Sequence, residues 1–154
     1  MKQIGVGLLG FGTVGAGVVD GLQRNRALLS DRLGVDIVMR RIADLDITTS
    51  RGVTVAPGVL TTDSQAVIAD PGVDIVVELI GGTGAARKLM MAALEAGKPV
   101  VTANKKLLAE HGEEIFALAH KRNVDIYFGA SVGGGIPIVR VLREGLVGNA
   151  VVRI

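Results

Sequence analysis

The chain contains no cysteine and no tryptophan in 154 residues. Without cysteine there is no disulfide framework, no thiolate nucleophile and no zinc site built on sulfur, a composition that suits a reducing cytoplasm. Aromatic residues make up only 3% of the chain, too few for the stacking platforms on which single-stranded nucleic acids lie. Neither sign of charge dominates: 17 basic against 15 acidic side chains leave a formal net charge of +2, which is not the basic footprint of a nucleic-acid binder. Long hydrophobic runs are missing too. The uncharged segment 4–19 follows Lys2, yet it is too short for a membrane span and lacks the compact leucine-rich core and cleavage site of a secretory signal. The two histidines, His111 and His120, are too few for a hydrolytic metal site and are expected to be exposed helix residues. Ser131 has no G-x-S-x-G setting, so a hydrolase triad is not supported.

What is abundant is apolar residues, at 49%, and glycine, at 22 of 154, roughly twice the usual share. The apolar content supports one domain with a real core. The glycines follow no collagen period or low-complexity run, so they mark places where backbone comes close to something. Ile4, Val6, Leu8 and Leu9 form a short apolar run, after which Val14, Val18, Val19 and Leu22 recur at helical spacing. The pattern predicts strand, tight turn, helix. Residues 35–43 read as a second strand ending at Asp44, and Asp63 or Ser64 caps a short helix to Ala69, stopped by Pro71 and Gly72. A buried strand over 74–80 follows, then a helix over 85–96 with Gly97 at its end. A short strand over 100–102 leads into helix over 105–110 and 113–122, one broken helix or two, and another strand over 125–128. A glycine turn at 133–135 precedes Pro137, which opens a helix to about Leu146. Val151, Val152 and Ile154 look like the start of a further strand. Nearly all-apolar strands alternating with helices predict a doubly wound α/β fold with a mostly parallel sheet covered on both faces.

Gly10, Gly12 and Gly15 form G-x-G-x-x-G between a predicted strand and a predicted helix. In that setting the first glycine permits the turn, the second admits a pyrophosphate against the backbone, and the third lets helix and strand pack closely. Backbone N–H groups and the positive helix end then face the phosphates. Asp44, closing the next strand, is placed to hydrogen-bond the adenosine ribose, which tilts the reading from NADP toward NAD because a carboxylate repels a 2′-phosphate. Arg40, Arg41 and Arg51 pull the other way, since any of them could pair with such a phosphate. The glycine loop thus marks a Rossmann-type, dinucleotide-binding fold.

Four strings in order, "GLLGFGTVGAGVV", "VVELIGG", "VVTANKKLLAEHG" and "ASVGGGIPI", resemble the amino-terminal part of the homoserine dehydrogenase family over essentially the whole chain. The resemblance implies NAD(P)-dependent interconversion of L-homoserine and L-aspartate 4-semialdehyde in amino-acid biosynthesis by a cytoplasmic homo-oligomer. It implies that Phe11, Thr13 and Val14 join the glycines on the pyrophosphate, and that Ile80 and Gly81 lie over the cofactor. Lys105 matches the lysine that reaches the nicotinamide and substrate, where an ammonium could steady negative charge on the reacting oxygen. Lys106 is then an ordinary helix residue. "ASVGGGIPI" resembles a segment whose backbone carbonyls hold a monovalent cation, Na or K, with Gly129, Val132, Gly134 and Ile136 at matching positions. Two departures stand out. Gly129 replaces a usual glutamate, leaving a backbone carbonyl but no carboxylate there, and Ala43 replaces a frequent lysine or arginine, which further favours NAD. The resemblance also implies a dinucleotide-binding domain over 1–130, with 131–154 opening a substrate and dimerisation domain that the chain does not continue into. A truncated chain of that kind binds cofactor without turnover. Two other readings stay open on residues alone, a free-standing redox-sensing nucleotide module and the cofactor domain of another semialdehyde or sugar dehydrogenase.

Overall fold

A computed structural model describes residues 1–150, so the predicted strand at Val151 to Ile154 lies outside the described residues. In chain order the elements are β1 (Lys2–Leu9), α1 (Thr13–Arg24), α2 (Arg26–Leu33), β2 (Val35–Ala43), β3 (Leu60–Thr61), α3 (Ser64–Ala69), β4 (Ile75–Glu78), α4 (Gly84–Glu95), β5 (Val100–Thr102), α5 (Lys105–Arg122), β6 (Ile126–Tyr127) and α6 (Ile138–Arg140). A 3₁₀ turn covers Gly129–Ser131 and a π turn covers Val141–Gly145. The six strands form one sheet in the order β3-β2-β1-β4-β5-β6, with every pair parallel. This is the doubly wound, Rossmann-type order, and its switch point lies between β1 and β4.

Period-two alternation places the core on both faces of the sheet. Leu8, Ile42 and Val77 face the α1 side, where they pack with Phe11, Ala16 and Val19. Leu9, Val76 and Val100 face the other side, against Met90 and Leu94 of α4 and Leu107 and Ile115 of α5. In β1 the glycines between these residues admit close neighbours: a Cβ on Gly5 would stand 1.8 Å from the Gly72 carbonyl oxygen, and one on Gly7 would stand 2.6 Å from a Val67 methyl. Across the loop before β4, Lys98 donates to the carbonyls of Asp70 and Val73. The Arg41 guanidinium and the Gly72 N–H on Asp70 hold its carboxyl below the usual range. No helix among the described residues is long and apolar enough to cross a membrane.

The structure departs from the sequence pattern in four places. The segment 105–122 is one unbroken helix despite Gly112, because Asn104 caps its start, Asn123 closes its end, and Leu107, Ile115 and Ala119 anchor one face in the core. Burial of that face outweighs the cost of about 1 kcal/mol for a glycine inside a helix. Helix α2 carries no helical signal in the sequence, because it has no buried residue and no apolar stripe. Strand β3 is two residues long, shorter than a periodicity can show, and it pairs with the end of β2. Beyond Pro137 the chain does coil to Gly145, but as one α turn followed by a wider one in which Leu146 N–H reaches the Val141 carbonyl at 3.0 Å.

Candidate functional site

The glycine loop crosses the carboxyl end of β1 at the switch point, where ligands lie in open α/β sheets. Gly10 takes a φ of +97°, the left-handed side that favours glycine. Its N–H donates to the Ala43 carbonyl at 2.8 Å, tying the turn to the end of β2. A Cβ on Gly15 would stand 2.2 Å from the Gly10 carbonyl oxygen, so α1 sits against the turn only because residue 15 has no side chain. Gly12 differs from both. A Cβ there would meet nothing within 4 Å, and its φ of −71° and ψ of −160° suit any residue.

Open ground over Gly12 coincides with a helix end that nothing caps. Gly12 offers no side-chain acceptor, and the first turn of α1 carries no acidic residue. By contrast α3 is capped by Asp63 and α5 by Asn104. The first N–H groups of α1 and its positive end therefore face outward, an arrangement that suits a pyrophosphate. Thr13 and Val14 are exposed at this end, whereas the Phe11 ring is buried in the core.

Asp44 stands at the end of β2, as its place in the sequence indicates. One carboxylate oxygen accepts the Phe11 N–H at 2.5 Å and the other accepts the Asp46 N–H at 2.9 Å. The aspartate thus braces the glycine loop, and each oxygen keeps a lone pair for a further donor. The Phe11 N–H is spent on this brace. Of the three arginines that could meet a 2′-phosphate, Arg40 donates to Gln3 near the start of β1 and Arg41 to Asp70 in the loop before β4, toward the opposite edge of the sheet. Arg51 donates to Asp46 at 3.1 Å, while its buried Nε has no partner. It lines a polar depression of about 400 Å³ with Ser50, Thr13, Gly17 and Asp20, beside the uncapped helix end.

The other half of the carboxyl edge is organised by residues that the motif reading did not single out. Glu78, the last residue of β4, is completely buried. It accepts the Thr102 hydroxyl at 2.7 Å and the Ile80 N–H at 2.8 Å. Thr102 Oγ1 in turn accepts the Asn104 N–H, and the Thr102 carbonyl accepts the Ser131 hydroxyl. Asn104 donates its side-chain amide to Gly82 at 2.7 Å and caps α5 through Leu107 N–H. This network ties together the loops after β4, β5 and β6. Ile80 and Gly81 lie exposed above Glu78, with Gly81 at a φ of +81°. Lys105 follows the Asn104 cap, is exposed, and has no ion-pair partner among the described residues. Lys106 pairs with Glu110 one turn on, at 3.7 Å. The polar residues were visible in "VVELIGG" and "VVTANKK", but only strand pairing of Glu78 with Thr102 shows that they meet.

The segment 129–136 is exposed apart from Ser131. Gly129 and Ile136 already accept the N–H groups of Val132 and Ile138 through their carbonyls, while Gly134 has a φ of +62°. Among the described residues no three His, Cys, Asp or Glu side chains gather as metal ligands. His120 is exposed, and His111 is half-buried with Nδ1 3.0 Å from Glu114.

Comparison with known proteins agrees with this geometry. The family profile described as "Homoserine dehydrogenase, NAD binding domain" matches residues 10–129, which holds the glycine loop, Asp44, Glu78 and Lys105. The chain belongs to the homoserine dehydrogenase family. The homoserine dehydrogenases of Neisseria gonorrhoeae and Bacillus subtilis are each 47% identical to it, over 98% and 95% of this chain and 34% of each relative. A crystal structure of the Thiobacillus denitrificans homoserine dehydrogenase superposes with a TM-score of 0.89 at 49% identity, over 97% of this chain and 34% of that one. A hyperthermophilic archaeal homoserine dehydrogenase in complex with NADPH superposes at 0.75 with 25% identity, over 96% of this chain and 50% of that one. The chain therefore spans about a third of the length of the curated homoserine dehydrogenases it matches, and corresponds to their NAD-binding domain.

The glycine geometry separates two kinds of position by stability alone. Gly15→Ala should lower the unfolding free energy by about 2 kcal/mol or more, because the contact is with backbone that cannot swing aside. Gly12→Val should cost at most about 1 kcal/mol, the scale of a poorer N-cap. Urea titrations of both variants, followed by circular dichroism, check this ordering.

Proposed function

We propose that the chain binds a nicotinamide dinucleotide across the carboxyl edge of the sheet and serves homoserine dehydrogenase chemistry, the interconversion of L-homoserine and L-aspartate 4-semialdehyde. The observation that carries this reading is the open ground over Gly12 at an uncapped helix end, in a chain whose family profile is that of an NAD-binding domain. When bound, the nicotinamide supplies the acceptor or donor of a hydride. The chain's own residues do the rest. Gly10, Gly12, Thr13, Val14 and Gly15 seat the pyrophosphate, and Phe11 contributes by letting Asp44 lock the loop. Ile80 and Gly81 form the ledge under the nicotinamide half. Lys105, held at the head of α5 by the Asn104 cap, presents an ammonium to the substrate oxygen, steadying the negative charge that develops there.

Asp44 supports NAD over NADP, since its free lone pairs suit ribose hydroxyls and its charge opposes a phosphate. Arg51 is the counterweight at this edge, since it lines the polar depression beside the uncapped helix end and its buried Nε has no partner. The carbonyls of Gly129, Val132, Gly134 and Ile136 form the best candidate for a monovalent cation, because a hard cation takes oxygen ligands and needs no side chain. Residues 131–154 then belong with a substrate and dimerisation domain, and assembly and substrate binding reside in the longer homoserine dehydrogenase polypeptide, in the cytoplasm.

Calorimetry with the purified chain tests the binding. Gly12→Val should weaken dinucleotide affinity at least tenfold, about 1.4 kcal/mol, while the fold is kept; unchanged affinity would remove the pyrophosphate from this loop.

Cofactor choice is read in the same titrations. Wild type should favour NAD, and Asp44→Ala should erase that preference by weakening NAD more than NADP. A wild-type chain that binds NADP tenfold more tightly would reverse the assignment of Asp44.

For Lys105 the measurement needs the complete enzyme. Lys105→Ala should lower kcat/KM by roughly a hundredfold, about 2.7 kcal/mol of transition-state stabilisation, with little change in Tm because the side chain is exposed. Near-wild-type kcat/KM would make Lys105 a solvated helix residue.

A further inference from the structure

Glu78 is the completely buried charged residue of the described chain, and nothing in the binding scheme above uses its charge. A buried carboxylate is costly unless its oxygens are satisfied and its charge is matched. Its oxygens are satisfied, one by the Thr102 hydroxyl and one by the Ile80 N–H. Its charge is not. No lysine, arginine or histidine of the described residues stands within ion-pair distance, and Lys105 on the same edge is exposed to solvent. The residue that donates one of these hydrogen bonds, Ile80, is itself exposed at the carboxyl edge. The carboxylate therefore lies one residue below the surface of the second half of the sheet, which takes the nicotinamide half of a dinucleotide.

We propose that Glu78 acts on the redox state of the bound cofactor: its uncompensated negative charge favours the oxidised nicotinamide, a cationic pyridinium, over the reduced and neutral dihydropyridine. The inference rests on the dinucleotide reading above and extends it. Charge attracts charge across a low-dielectric layer far more strongly than through water, and the pyridinium is the one cation that binding brings to this place. A hydrogen-bonding role alone would treat the two forms alike. The carboxylate is also the side chain that can serve both donors at once, since the amide of glutamine has a single acceptor oxygen.

The test compares affinities, not turnover. NAD⁺, NADH and ADP-ribose are titrated by calorimetry into the wild-type chain and into Glu78→Gln. The ratio of the NAD⁺ to the NADH dissociation constant should rise about fivefold in the variant, while ADP-ribose, which lacks the ring, changes less than about twofold. Equal weakening of NAD⁺ and NADH would make Glu78 a purely structural residue and overturn the proposal while leaving the dinucleotide reading intact. A wild-type chain that binds none of the three would overturn both. Where Glu78→Gln loses its far-UV circular dichroism, the wild-type chain decides by itself with benzamide adenine dinucleotide, whose ring matches the pyridinium in shape without its charge. NAD⁺ should bind about fivefold more tightly than this isostere; equal affinity would overturn the proposal.

Discussion

The contact between Gly15 and the carbonyl of Gly10 governs the site. At 2.2 Å for a hypothetical Cβ, it leaves room for hydrogen alone, and so it sets how closely α1 can approach the end of β1. That approach decides where the uncapped N-terminus of α1 points, and with it the position of every donor in the loop. Ala16 and Val19 then reach the sheet on the inner side of the helix and join Leu8 and Ile42 in the core. A helix held further out would lose this burial and would aim its first turn past the switch point. One missing methyl group thus serves packing and ligand geometry together.

Around this contact the carboxyl edge divides by charge. On the β2 side, Asp44 and Asp46 hold backbone N–H groups and a single arginine, with Arg51 closing a polar depression. The Asp46 carboxyl is held far below its usual range by the N–H groups of Thr49 and Thr48, so this turn stays anionic and ordered by its own backbone. On the β4 and β5 side, the polar groups are buried and shared among loops. Glu78, Thr102, Asn104 and Ser131 form a continuous set of hydrogen bonds beneath Ile80, Gly81 and the head of α5. Such a network is costly when half satisfied and rigid when complete. Its completeness here gives Lys105 a fixed base although the lysine side chain itself is free.

Much of this was legible in the amino-acid order because the signals are local. The G-x-G-x-x-G spacing, the apolar run before it, the acidic end of β2, the Asp63 cap and Gly97 each act within a few residues, and each reappears where the pattern places it. Elements without a local signal were not legible. Helix α2 buries nothing fully, β3 is too short for a period, and the break expected between 110 and 113 is overridden by packing at Leu107 and Ile115. Asp44 illustrates both sides of this divide. Its place at a strand end could be read, but not its grip on the Phe11 N–H, because that bond joins residues 33 apart.

By itself the sequence determined the parallel α/β class, the strand-loop-helix at the front of the chain and the family to which it belongs, since periodicity, glycine spacing and motif order are properties of neighbours along the chain. The tertiary structure decided which glycines touch protein and which face open ground, which arginine stands beside the glycine loop, and that a glutamate in an otherwise apolar strand is sealed inside. Those outcomes depend on what approaches from a distant part of the chain. Gly12 and Gly15 are the same residue in one motif, and only the carbonyl beside one of them tells them apart.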